Sequence, residues 1–384
     1  MGPEPSEAAP RPGLPRTAIV LLTLACATVV AFGLAAMRGI VAPVFFAFVL
    51  TLCVHPLRHW LQGRGVPRGI ATGSTIAAVF ALLAGFGAVF VASLAQFSAL
   101  LPQYAPQMAE LGTSIAGMLE TVGFGTEQVQ AALEAFTPGA IIGFVGGLLG
   151  SITSLVGGLV VILTMLILMA VDGSRVPALL THLRLHRPAV VAAFTGFGAG
   201  VRRYMIATTV LGAAQGLLNW LVLVILQVPG ALLWGLLSFI CSYIPNIGYF
   251  IAIVPPLFFG FLSGGWPTLF AVFVIYGGIN GVVQSIIQPK YVGNAVALSE
   301  TLTFVSVLLW AVILGPVGAI LAVPLTLLFR TILLDSDPSI SWWRPLTGDT
   351  KDLEALLKQE DDAIRARRAR RGPDKPDPGS TPAA

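Results

Sequence analysis

Apolar residues run almost without interruption along this chain, and the few breaks between runs define its elements. A helix rises about 1.5 Å per residue, so an uncharged run near 20 residues spans a bilayer core about 30 Å thick. Thr17–Met37 is the first such run and Gly39–Leu57 the second, with Arg38 in the turn between them. Pro43 lies near the start of the second, where a helix tolerates proline, and His55-Pro56-Leu57-Arg58 ends it. Gly69–Gln96 is the third span. Ala140–Val171 holds the fourth, glycine-rich in its first half and closed by Asp172-Gly173. Tyr204–Gln227 is the fifth, and Pro267–Ile287 is a later one.

Two further runs have a different design. Ala231–Gly265 is apolar, uncharged and long enough to rise roughly 50 Å as one helix, well beyond a bilayer core. Its middle reads Ile244-Pro245-Asn246-Ile247-Gly248. Proline removes a backbone donor and glycine loosens the chain, so the helix breaks there. Thr301–Arg330 is broken in the same way at Gly315-Pro316-Val317-Gly318. Broken backbone at membrane depth persists only where protein buries it or water reaches it. A pair of interrupted apolar segments is the best sequence pointer to a transporter's binding site. The pattern therefore predicts an all-α polytopic membrane protein. It has about eight apolar helical segments, two of them broken, either crossing fully or folding back as re-entrant hairpins. Two halves of about 15 residues suit half-depth insertion better than one steeply tilted rod.

Residues 97–143 change character. Phe97, Leu101, Tyr104, Met108, Leu111, Ile115, Met118 and Val122 recur at alternating steps of four and three, the 3.5-residue period of a helix with one narrow apolar seam. A short helix over Thr126–Phe136 follows. The region holds four Glu and no Lys or Arg. It reads as an extramembrane pair of amphipathic helices, packing on the membrane domain or on a neighbouring subunit. The organisation expected is a disordered cytoplasmic tail over 1–16, a permease domain over 17–334, and a cytoplasmic polar helix with a disordered tail over 335–384.

Composition agrees with the pattern: of 384 residues 56% are hydrophobic and only 10% charged, against about 25% charged in a soluble domain. Cys26, Cys53 and Cys241 fall in apolar runs, so a disulfide framework is not expected. Arg11 and Arg16 precede the first run, but that run is too long for a signal peptide's core (about 7–15 residues) and reads as a retained span. The placement of the basic residues is more informative than the net charge of +4. Arginines crowd the N-terminal tail, the 58–68 loop, residues 174–203 and the C-terminal tail, which places these pieces and both termini in the cytoplasm.

From Tyr204 to Pro289 the chain has no Asp, Glu, Lys, Arg or His. A route there must be built from neutral polar groups and opened backbone. Asn280, Gln284 and Gln288 form a stripe at i, i+4 and i+8, and Gln215 and Asn219 lie four apart. Amides in lipid must face protein or water, so they either line a route for a small polar solute or join helices by hydrogen bonds. The candidate pathway is Asn246, Gly248, Asn280, Gln284, Gln288, Gly315, Pro316 and Gly318. If sodium or protons drive transport, Asp172, Lys290 and Glu300 at the rims are the candidate coupling groups, with the carbonyls freed at the breaks as the alternative. His55/His59 and His182/His186 have metal-chelating spacing, but without the Glu of a His-Glu-x-x-His motif no metal site is assigned. No phosphate-binding loop is present and no cofactor is expected. The Arg365–Arg371 cluster suits anionic lipid rather than nucleic acid.

Three C-terminal motifs carry a family resemblance. They are Ile244-Pro245-Asn246-Ile247-Gly248 with Ala252 and Pro255-Pro256, the Gln288-Pro289-Lys290-x-x-Gly293 loop, and Leu314-Gly315-Pro316-Val317-Gly318-Ala319-x-Leu321-Ala322-Val323-Pro324-Leu325. Over about residues 17–334 the chain resembles the autoinducer-2 exporter family of permeases. The resemblance implies an oligomeric inner-membrane permease that exports small polar solutes, in some members with exchange of sodium for protons. The expected function is a secondary transporter, not an enzyme, in which solute binds between the two broken elements and one bundle moves against the other. The alternative is a non-transporting membrane scaffold or regulatory subunit, whose seam and Arg-rich tail recruit partners.

Overall fold

Helices long enough to cross a membrane follow one another from the first apolar run onward. The computed structural model describes residues 15–122, 139, 143, 158–173, 175–288, 298–336, 357–358 and 360–364. The N-terminal tail, the helix expected at Thr126–Phe136, Lys290 and the Arg365–Arg371 cluster lie outside the described residues.

Helix α1 is Arg16–Ala36 and α2 is Arg38–Gly63. The α2 helix passes through Pro56, where the sequence predicted its end, and stops only where Gly65 takes φ +86. α3, Arg68–Leu100, continues through a 3-10 turn at Leu101–Tyr104 into α4, Ala105–Val122. α5 is Gly158–Asp172, bent by 61° against α6, Val176–His186. α7, Pro188–Ile225, is 38 residues long and rises about 57 Å. It begins well before the predicted Tyr204, because Arg202 and Arg203 are good helix formers and do not end it. Among the described residues, five helices suit a membrane crossing by length and composition, with Ile247–Val282 counted as one, or six if α5 and α6 form one bent span. Large side chains such as Leu21, Val29 and Phe32 of α1 are exposed, as lipid-facing residues are.

From α7 onward the chain zigzags. α8, Ala231–Cys241, returns along α7: Asn219 of α7 bonds Ser238 of α8, and Gly216 lies against Gly235. α9, Ile247–Val282, then doubles back on itself at Gly265, whose φ +65 and ψ −157 are non-helical. Ala252 and Tyr276 would be about 36 Å apart on a straight helix, yet Tyr276 Oη donates to the Ala252 carbonyl at 3.3 Å. Residues 247–264 and 266–282 are therefore two antiparallel helices, and neither alone has the 36-residue length of the whole. α10, Glu300–Leu314, and α12, Ala322–Arg330, run antiparallel across the short α11, Pro316–Ile320. Trp310 Nε1 donates to Thr326 Oγ1 at 3.1 Å across this pair. α8 and α10, at 11 and 15 residues, rise about 16 and 22 Å and fall short of a bilayer core.

The fold-back at Gly265 has a direct check. A Cβ on Gly260 would lie 3.4 Å from Val272, whereas a straight helix would separate the two by about 18 Å. With the three native cysteines replaced, Gly260→Cys with Val272→Cys should form a disulfide under mild oxidation. Absence of that cross-link in folded protein would show the helix to be straight.

Two apolar clusters organise the bundle. The first gathers Phe45 and Val49 of α2, Val201 and Tyr204 of α7, and Leu314 and Leu321 of the last hairpin. The second joins Phe97, Leu101 and Met108 to Leu223, Trp234, Phe259 and Tyr276. The seam predicted over 97–122 is split by this packing. Phe97, Leu101 and Met108 are fully covered, but Met118 is 70% exposed. The seam's first half packs on the membrane domain because the 3-10 turn at Pro102 keeps it against α8 and α9.

Candidate functional site

The first break is a five-residue turn, Ser242–Asn246, between α8 and α9. Pro245 has no amide hydrogen and cannot continue α8. The Ile244 amide bonds the Cys241 carbonyl at 3.0 Å and the Gly248 amide bonds the Ile244 carbonyl at 3.0 Å. The Ile247 amide reaches back only two residues, to the Pro245 carbonyl at 2.7 Å. Asn246, between them, has φ +63 and ψ −46. This is a γ-turn of the strained hand, a backbone state that costs about 1–3 kcal/mol in a residue with a Cβ. The Asn246 side chain is exposed at the tip. Among the described residues, the Ser242 and Tyr243 carbonyls accept none of the bonds that hold the turn.

The tip stays narrow because Gly248 has no side chain: an added Cβ would sit 1.9 Å from the Cys241 carbonyl oxygen. Gly318 plays the same part in the second hairpin, where a Cβ would lie 2.1 Å from the Trp310 carbonyl oxygen. There the chain reverses at Gly315, with φ +73 and ψ −156, and Pro316 opens α11. Gly248 and Gly318 are buried, while Pro316 is exposed. The two tips share an environment. Tyr243, Ile244 and Ile247 of the first, and Leu314, Val317 and Ala319 of the second, belong to or pack against the same apolar cluster.

The amides divide. Gln215 Nε2 donates to Asn280 Oδ1 at 3.0 Å, and Asn219 Nδ2 donates to Ser238 Oγ at 2.8 Å. All four residues are buried. With the Tyr276 bond to Ala252, these contacts tie α7, α8 and both halves of α9 together. At Asn280, Gln215 and Asn219 the structure realises the interhelical alternative. Gln284 and Gln288 are half-buried beyond them, where the helix widens into a π-turn at Val283–Ile287. The α9 half that carries the stripe is thus anchored at Asn280. The Ser238 contact was not legible in the sequence, because a serine in an apolar run carries no periodic signal.

The rim carboxylates are far less enclosed. Asp172 is exposed at the end of α5. Glu300 is exposed in the first turn of α10, where Ser299 Oγ accepts from the Leu302 amide at 3.2 Å. A carboxylate in that position is favoured by the helix dipole. The histidine rings of His55/His59 and His182/His186 lie 4.5 and 5.1 Å apart. Among the described residues no third ligand joins either pair.

Comparison with known proteins fits this geometry. Residues 18–336 match the family described as AI-2E family transporter. A putative transport protein of Haemophilus influenzae is 28% identical over 350 residues, covering 87% of this chain and 97% of its own. The putative transport protein YhhT of Escherichia coli is 26% identical over 308 residues, 80% of this chain and 88% of its own. The E. coli protein named AI-2 transport protein TqsA is 26% identical over 315 residues, 82% of this chain and 91% of its own. With its apolar helices matched almost from end to end, the chain belongs to the AI-2E transporter family and is a multi-pass membrane transport protein rather than an enzyme.

Proposed function

We propose that this permease exports a small polar solute past the two hairpin tips, at Ser242–Asn246 and Gly315–Gly318, by alternating access. The observation that carries the reading is the strained γ-turn at Asn246. It holds an exposed amide and two open carbonyls at the end of a hairpin without a single charge. Strain persists where surrounding structure over-determines it, and such sites concentrate at ligand contacts. In this reading Asn246, Gly315 and Pro316 meet the solute. Gly248 and Gly318 let the hairpin legs close, and Asn280, Gln284 and Gln288 brace and extend the route. Both broken segments enter the bilayer as re-entrant hairpins, because in each the first leg, α8 or α10, is too short for a full crossing. Coupling to sodium or protons falls to the opened carbonyls rather than to Asp172 or Glu300, since these two carboxylates are exposed at helix ends.

We place both termini in the cytoplasm, at the inner membrane. Arg58 Nη1 donates to the Ala170 carbonyl at 3.3 Å, so the Arg-rich 58–68 loop and the start of the Arg-rich 174–203 segment share one end of the bundle. Basic loops collect on the cytoplasmic side.

The test is Asn246→Gly. Glycine adopts positive φ freely, so the variant removes the amide while relieving strain. Its thermal stability should equal or exceed the parent's. Efflux of AI-2, the solute in one relative's name, from protein-loaded vesicles should fall about fivefold, as for loss of one hydrogen bond worth about 1 kcal/mol. Undiminished flux in a stable Asn246→Gly protein would reject the tip as a solute contact. Parent protein that moves AI-2 no faster than empty vesicles would reject that solute.

A further inference from the structure

At the Arg-rich end of the bundle a groove of about 630 Å³ opens between the end of α2, the start of α3 and the end of α5. Its residues are sorted along its length. Arg58 and Arg68 line one end, the mouth; Ile76, Phe80, Leu163 and Ile167 line the rest, with Phe80 and Ile167 still exposed. From Arg68 to Phe80 the α3 wall descends about 18 Å. Gly69 and Gly73 form part of the α3 wall, and an added Cβ at either would meet nothing within 4 Å. That wall is therefore open space rather than close-packed core.

The mouth is cationic and unneutralised. Arg58 is held there by its bond to the Ala170 carbonyl, which uses one of five guanidinium donors. Arg68 is the first residue of α3, so the positive end of that helix dipole adds to its charge. No carboxylate lines the groove, and among the described residues none pairs with either arginine. The neighbouring Trp60 is 51% exposed with the Arg64 guanidinium 3.7 Å from its ring centroid, the pairing expected at a membrane–water boundary.

A slot that is cationic at the water boundary and apolar for the depth of one leaflet fits an amphiphile of one kind. We propose that it binds an anionic phospholipid, with the headgroup phosphate between Arg58 and Arg68 and an acyl chain along the wall of α3 and α5. Basic pockets between spans recognise anionic headgroups in this way. Because the groove joins the end of α2 and the start of α3 to the end of α5, an occupied site fastens α5 to elements that it meets there through the Arg58 contact. The inference rests on the chain being a membrane protein and is independent of the solute it carries.

The experiment is native mass spectrometry of the full-length protein in detergent. The additions are phosphatidylglycerol, phosphatidylcholine with the same acyl chains, and inorganic phosphate. Phosphatidylglycerol should be retained in at least about tenfold excess over phosphatidylcholine. Arg68→Gln should weaken retention about fivefold, as for one surface cation. Gly73→Leu, whose Cβ meets no protein atom within 4 Å and whose side chain fills the groove, should abolish it, while Arg187→Gln outside the groove leaves it intact. Equal retention of the two lipids, or parental retention in both Arg68→Gln and Gly73→Leu, would overturn the site. So would an equal loss in Arg187→Gln. Binding of inorganic phosphate as strongly as of phosphatidylglycerol would replace the lipid by a soluble anion and overturn the proposal equally.

Discussion

Gly248→Ala and Gly318→Ala are expected to destabilise the protein by about 3 kcal/mol or more each, at the upper end of overpacking effects. Each adds one methyl group where backbone already stands. At Gly248 the new Cβ would lie 1.9 Å from the Cys241 carbonyl oxygen and 2.8 Å from its carbon. At Gly318 it would lie 2.1 Å from the Trp310 carbonyl oxygen and 2.7 Å from the Leu314 Cβ. Neither obstacle is a flexible side chain that can swing away. The hairpin legs must part, and parting them uncovers Cys241 and Ala252 in one cluster and Leu314 and Ala319 in the other. Thermal unfolding of the purified variants checks this against Gly33→Ala and Gly85→Ala, where an added Cβ meets nothing within 4 Å. Those two should be neutral or slightly stabilising, because alanine is the better helix former. Equal midpoints for Gly248→Ala and Gly33→Ala would mean that the hairpin is not closed as described.

Gly265→Ala and Gly315→Ala act through a different cause and should each cost about 1–3 kcal/mol. Gly265 has φ +65 and ψ −157, and Gly315 has φ +73 and ψ −156. The two turns use the same backbone state, one that side chains with a Cβ essentially never occupy. A Cβ at Gly315 meets nothing within 4 Å and one at Gly265 touches only Pro267 at 3.8 Å. Crowding therefore contributes nothing, and the whole effect is torsional. Larger residues at Gly315 should cost no more than alanine, whereas at Gly318 the loss should grow with side-chain size. A series of Ala, Val and Leu at both positions, read by thermal unfolding, separates the two mechanisms. A size-dependent loss at Gly315 would contradict the torsional account.

Most of the apolar segments were legible because their signal is cumulative. An uncharged run of 20 residues can hardly be anything but a span or a buried helix, and α1, α2 and α3 begin within a residue or two of the predicted positions. Helix ends were harder. Pro56 looked like a stop and Arg202-Arg203 looked like a boundary, yet α2 and α7 run through them. Proline inside a membrane helix is tolerated when neighbours satisfy the freed groups, a condition that local sequence does not display.

The candidate site was half legible. Pro245, Asn246, Gly315 and Pro316 announced their turns through residue type. The partner of Asn280 did not announce itself, since a stripe at i, i+4 and i+8 looks the same whether it faces a channel or another helix. Gln215, sixty-five positions away, supplies the partner of Asn280 with one 3.0 Å bond. The seam over 97–122 met the same difficulty: its period specified a narrow apolar face, but what covers each part of that face depends on where α8 and α9 come to rest.

By itself the sequence determined the solvent this protein lives in, the helical class and the points where the chain must bend. Those follow from local chemistry: apolar side chains without charge, prolines without donors, and glycines without a Cβ. Only the tertiary structure decided that the helices on either side of Gly265 pack against each other, and that both tips border one cluster. It alone showed which amides are spent on holding helices together. These depend on contacts between residues tens of positions apart, and in a medium that offers backbone and amides no other partners such contacts decide which way each broken helix turns.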